Sequence, residues 1–194
     1  FGGVSLGVKD GHTGTYPTSA DLSEANLSEA DLSPKLLGVS AAFPEVGMFH
    51  QPSNLSGTNL RKTNFSKANL RQADLTGANL TGANLTGANL TGAKAMLVNL
   101  TGADLTGADL QETSLYIANL TRADLTGANL TNANLAAVNF TRADLTAANL
   151  SNATVDDDTL WYKAVLRGAN VLGVSTTNHQ RVDPNSLIGY QFLG

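Results

Sequence analysis

The run Ala78-Asn79-Leu80-Thr81-Gly82-Ala83-Asn84-Leu85-Thr86-Gly87-Ala88-Asn89-Leu90-Thr91-Gly92 repeats one five-residue unit three times unchanged. Working outward, an apolar residue, mostly leucine, recurs at every fifth position from Leu55 to Leu160. Three more units centre on Leu22, Leu27 and Leu32, and two weaker ones on Leu166 and Val171, one residue out of phase. Leu, Ala, Thr and Asn make up about half of the 194 residues, a bias that reports a repeat.

The period excludes the two commonest elements. On a helix, five residues advance about 500°, a net rotation of about 140°, so the leucines would scatter round the axis. Asn, Thr and Gly are also poor helix formers. On a straight strand an odd period turns alternate leucines to opposite faces. One arrangement satisfies both limits. Ala and the Leu two residues later point the same way, as in a strand. The next two residues turn the chain by a fixed angle, and the following unit again starts facing inward.

The A(D/N)LTG unit closely resembles the repeat of the pentapeptide-repeat proteins. The resemblance implies four units per square coil and coils stacked into a right-handed quadrilateral parallel β-helix, an all-β solenoid. For this chain it implies about seven coils with irregular capping ends. Residues twenty apart then stack at about 4.8 Å. The expected core columns are Leu60, Leu80, Leu100, Leu120, Phe140, Leu160; Phe65, Leu85, Leu105, Leu125, Leu145; Leu70, Leu90, Leu110, Leu130, Leu150; and Leu55, Leu75, Ala95, Leu115, Leu135, Val155. Asn59, Asn79, Asn99, Asn119 and Asn139 should form an outer ladder of amides bonded along the stack.

The breaks set the expected organisation. Residues 1–19 carry no repeat and form an N-terminal cap or extension. Residues 20–173 form the solenoid, interrupted by an extruded loop at 33–52 that contains Pro34, Pro44 and Pro52. Residues 174–194 form a capping tail. Trp161 and Tyr162 are expected near the irregular corner at Asp156-Asp157-Asp158.

No signature of catalysis is readable. His12, His50 and His179 fall in different irregular segments, with no third ligand beside any. The three aspartates lack the alternating oxygen ligands, Gly and Glu of a calcium loop and are expected to cap a corner. There is no GxSxG, Walker or GxGxxG pattern. Cysteine is absent, so disulfides and Cys-based metal sites are impossible. The chain is expected to be no enzyme and to have no catalytic, metal or cofactor site. A small-molecule ligand is not expected.

Charged residues are 14 % of the chain and the net charge is −4, which argues against direct nucleic-acid binding. No apolar run approaches the ~20 residues of a membrane span. Asp104, Asp124 and Asp144 should stack on one face, with Arg122 and Arg142 across the same corner to neutralise them. Asn-Leu-Ser/Thr sequons arise from the repeat itself and carry no information about secretion. Phe1 has no preceding Met and no leader follows it, so it is expected to be a processed or trimmed end.

One departure from the repeat points to function. Outward positions that should read Thr-Gly read Met96-Leu97, then Tyr116-Ile117, then Ala136-Ala137, on one face of successive coils. Either a terminal segment or the 33–52 loop covers them, or Met96, Leu97, Tyr116 and Ile117 are a protein-binding patch. The expected function is a non-enzymatic scaffold for a protein partner. The family is numerous in cyanobacteria and in the thylakoid lumen of plastids, so the resemblance implies a lumenal or periplasmic protein, with a cytoplasmic one as the alternative. Some members bind DNA gyrase by imitating duplex DNA. The alternative function is therefore an inhibitor or protector of a type II topoisomerase.

Overall fold

A computed structural model describes residues 22–32, 35–36, 50–51 and 53–176. The expected cap at 1–19, all but the first three residues of the expected tail at 174–194, and most of the 33–52 loop lie outside the described residues.

From Asn54 to Asn134 every unit places one outward residue in parallel pairing with the residue twenty positions on, as in Asn59 with Asn79, Asn79 with Asn99 and Asn99 with Asn119. Four five-residue units therefore make one turn of the stack. The Leu and Ala positions from Leu55 to Val155 are buried, including the smaller Ala95. Thr63 and Thr113 replace inner alanines and satisfy their hydroxyls on the carbonyls of Leu22 and Leu90, at 2.8 and 2.9 Å.

The unit works because all five of its amides find acceptors. Asn79 N donates back one coil to Thr58 O (3.0 Å), and Leu80 N forward to Asn99 O (2.7 Å). Thr81 N donates to the Asn79 side-chain oxygen (3.2 Å). Gly82 N donates forward to Thr101 O (3.0 Å), and Ala83 N closes the turn on Leu80 O (2.9 Å). Only the third of these needs a side chain. That is the physical reason for Asn or Asp before most of the inward leucines. The expected amide ladder along the stack is thus mostly absent from the Asn79 column. Its oxygens cap the local turn instead, as Asn99 does to Thr101 N at 3.1 Å. Glycine follows threonine because the second turn residue is left-handed, with φ of 66° at Gly82.

At the start of the stack, Asn26 pairs with Asn64 and Asp31 with Asn69, which are 38 positions apart and not 20. The additional residues fall in 33–52. There β1 (Lys35–Leu36) pairs antiparallel with β2 (His50–Gln51).

The column from Leu60 to Phe140 requires a correction at its end. Leu160 is not in the core; it is 50 % exposed and pairs with Asn139 in the outer ladder. Trp161, 7 % exposed, takes the core position and stacks on Phe140 with ring centroids 4.7 Å apart. The register therefore shifts at Asp156-Asp157-Asp158, before Leu160 and not after it. Thr159 enters the small inner position and donates to Leu135 O at 3.1 Å. The extra residue displaces the carbonyl that Ala137 N should meet. Asp156 Oδ1 replaces it at 2.7 Å, so this aspartate does cap the corner. Beyond it, β3 (Thr154–Val155) pairs in parallel with β4 (Ser175–Thr176). Tyr162, expected near this corner, is exposed.

Candidate interaction face

Met96, Leu97, Tyr116 and Ile117 project from neighbouring coils of one face, with exposures between 37 and 55 %. None lies under a described segment. Ala136, one coil on, is buried, and Ala137 is half-buried, so the face steps down from large side chains to small ones.

The backbone under this patch differs from the rest of the stack. Lys94 and Ser114 occupy the position that holds Asn or Asp in every other unit from Asn54 to Asn149. Lysine has no acceptor, and the Ser114 hydroxyl does not cap the turn. From Leu60 to Thr154, the amides of Met96 and Tyr116 are the two among the described residues that reach no protein acceptor. Their neighbours on the same face are capped, Thr76 by Asp74 (3.0 Å) and Ala136 by Asn134 (3.1 Å). Lys94 and Ser114 are the part of this site that the leucine pattern does not reveal; their signal is the missing Asn or Asp itself.

Leu97 and Ile117 also sit in the left-handed region of the second turn residue, with φ of 58° and 59°, where the array otherwise places glycine, alanine or polar residues. Ile117 is the β-branched residue among the non-glycine residues held there. Such a residue costs about 1–2 kcal/mol at this φ. Three local departures thus coincide: exposed apolar side chains, free amides and a strained β-branched residue.

The acidic face is built as expected in position but not in pairing. Asp104 pairs with Asp124 and Asp124 with Asp144 along the stack. Among the described residues neither Arg122 nor Arg142 forms an ion pair with them; Lys62–Glu24 (3.3 Å) and Lys67–Glu29 (3.9 Å) pair elsewhere. Burial raises the Asp104 carboxyl pKa, but this is outweighed by the Thr106 amide and the Thr106 and Thr86 hydroxyls, which hold it below its ordinary value. Among the described residues no helix is long and apolar enough to cross a membrane, and no three His, Cys, Asp or Glu cluster as metal ligands.

Twenty-residue pairing of five-residue units defines a β-helical repeat protein. The pentapeptide-repeat family model matches residues 53–92, 83–116 and 118–156, and the chain belongs to that family, whose members fold as right-handed β-helices. Similar solved structures include HetL, a pentapeptide-repeat protein involved in heterocyst differentiation regulation from the cyanobacterium Nostoc. It is 26 % identical over 84 % of this chain and 89 % of its own, with a TM-score of 0.38. A thylakoid-lumen pentapeptide-repeat protein from Arabidopsis thaliana is 26 % identical over 64 % of this chain and 66 % of its own, with a TM-score of 0.33. QnrB1, a plasmid-mediated fluoroquinolone resistance protein, is 18 % identical over 91 % and 90 %, with a TM-score of 0.46. No curated protein matches the chain.

Proposed function

We propose that the chain is a non-enzymatic protein-binding rod of about seven coils, closed at its ends by residues 1–19 and 174–194, and that it docks a protein through Met96, Leu97, Tyr116 and Ile117. One observation carries this reading. The two amides that reach no acceptor among the described residues are those of Met96 and Tyr116, within the same group of four exposed apolar residues. A partner covering them gains apolar burial and can supply the missing acceptors. The test restores the repeat on this face with Met96→Thr, Leu97→Gly, Tyr116→Thr and Ile117→Gly. The variant should melt no lower than the unaltered chain, since Ile117→Gly relieves the strain at that position, and should lose partners that the unaltered chain captures from its native source. Undiminished capture would refute the assignment of the face.

The second reading is a DNA-mimicking inhibitor or protector of a type II topoisomerase. The ladder of Asp104, Asp124 and Asp144, without arginine partners among the described residues, favours it. A gyrase supercoiling assay tests it. Inhibition or drug protection at stoichiometric concentration supports mimicry, and no effect removes it.

A further inference from the structure

The face carrying the patch is graded along the stack. Successive coils present Lys94, Met96 and Leu97; then Tyr116 and Ile117; then Ala136 and Ala137; then Asp156, Asp157 and Asp158. Lys94, Asp157 and Asp158 are exposed, and none of the three forms an ion pair among the described residues. The order along one face is therefore basic and large, large, small, acidic.

That order is complementary to its own reverse. If a second copy lies antiparallel against this face, with the two-fold axis midway between the Tyr116 and Ala136 coils, two pairings follow from one centre. Tyr116 and Ile117 of one copy meet Ala136 and Ala137 of the other, large onto small. The Lys94 coil meets the coil of the three aspartates, positive onto negative. The Met96 amide, which reaches no acceptor among the described residues, then also faces the second copy's Asp157 and Asp158 carboxylates. A parallel arrangement gives none of this, since it sets large against large and acid against acid.

From this we infer that the occupant of the face is a second copy of the same chain, packed antiparallel side by side about that axis. The inference rests on the reading of this face as a protein-docking surface and names its partner. The strip spans four coils, about 19 Å at about 4.8 Å per coil. A contact of that length falls at the small end of specific interfaces, so the dimer is weak and dissociates on dilution. The charges at either end fix its direction, because reversing one copy places like charges together.

Sedimentation over a concentration series tests this with the full chain. The unaltered protein should show a reversible monomer–dimer equilibrium. Lys94→Glu should weaken the dimer at least about tenfold, as should Asp157→Lys with Asp158→Lys, and the three changes together should restore it. These charged positions are exposed, so each variant should keep its melting temperature. The chain has no cysteine of its own, which permits a direct check of register. An oxidised mixture of the Ile117→Cys and Ala137→Cys variants should cross-link as a heterodimer faster than either variant alone. A monomer at every concentration overturns the inference and leaves the docking of a different protein standing on its own capture test. A dimer unaffected by the four consensus substitutions overturns this inference, because the copies then meet elsewhere. A dimer weakened by Lys94→Glu but not restored by the compensating lysines overturns the antiparallel register.

Discussion

Phe140 and Trp161 stack face to face, with planes 15° apart, although 21 positions separate them in a coil of twenty. The extra residue is absorbed at Asp156-Asp157-Asp158, so tryptophan and not Leu160 continues the column above Phe140. Trp161→Ala should cost about 3–5 kcal/mol in denaturant unfolding. Leu160→Asn should be close to neutral, because it restores the outer residue that the array uses elsewhere. Equal damage from the two would place the shift on the wrong side of Leu160.

Deleting Asp158 should return the corner to a five-residue unit while Trp161 stays buried. Its fluorescence should remain that of a buried indole, and the coil should stay folded. A red-shifted emission would show that the three aspartates do not absorb the shift.

The core columns are set by volume. Leu105→Ala or Leu125→Ala should cost about 2–5 kcal/mol, since both leucines are fully buried with coils on either side. Asn99→Ala removes one turn cap and should cost about 0.5–1.5 kcal/mol. The ratio, read from paired urea titrations, checks the inward and outward assignment of the period.

Much of this was legible in the sequence. Period five excludes helix and straight strand, and the A-x-L spacing tells inside from outside. The phase shift was misplaced because Leu160 and Trp161 are both apolar and adjacent, so the period alone prefers the leucine. The pairing of Leu160 with Asn139, and the burial of Trp161 against Phe140, separate them. The four apolar patch residues stand out because, from Ser56 to Asn152, the other turns place only Gly, Ala or polar residues at these two positions. Lys94 and Ser114 did not, because their meaning depends on which amide the Asn side chain serves.

Restoring that side chain should stabilise the rod. Lys94→Asn and Ser114→Asn each give a free amide its turn cap and should each add about 0.5–1.5 kcal/mol. Unchanged stability in both would mean that the two amides are satisfied some other way.

Asp104 makes a contribution with a definite sign. Its pKa is lowered in the folded state, so its stabilisation is complete above the ordinary carboxylate value. The stabilisation is lost as pH falls through the lowered value. Asp104→Asn should therefore flatten part of the acid-side loss of stability and change little near neutrality. An unchanged acid limb would show that Thr106 and Thr86 do not hold this carboxylate.

A closed five-amide cycle runs through the rod and is broken at Met96 and Tyr116. Residue-resolved amide hydrogen exchange on the dilute protein tests it most directly. The amides of Met96 and Tyr116 should exchange far faster than their counterparts at Thr81, Thr101 and Thr121, and should slow when the face is occupied. Equal protection at Met96, Tyr116 and those threonines in the dilute protein would contradict the account.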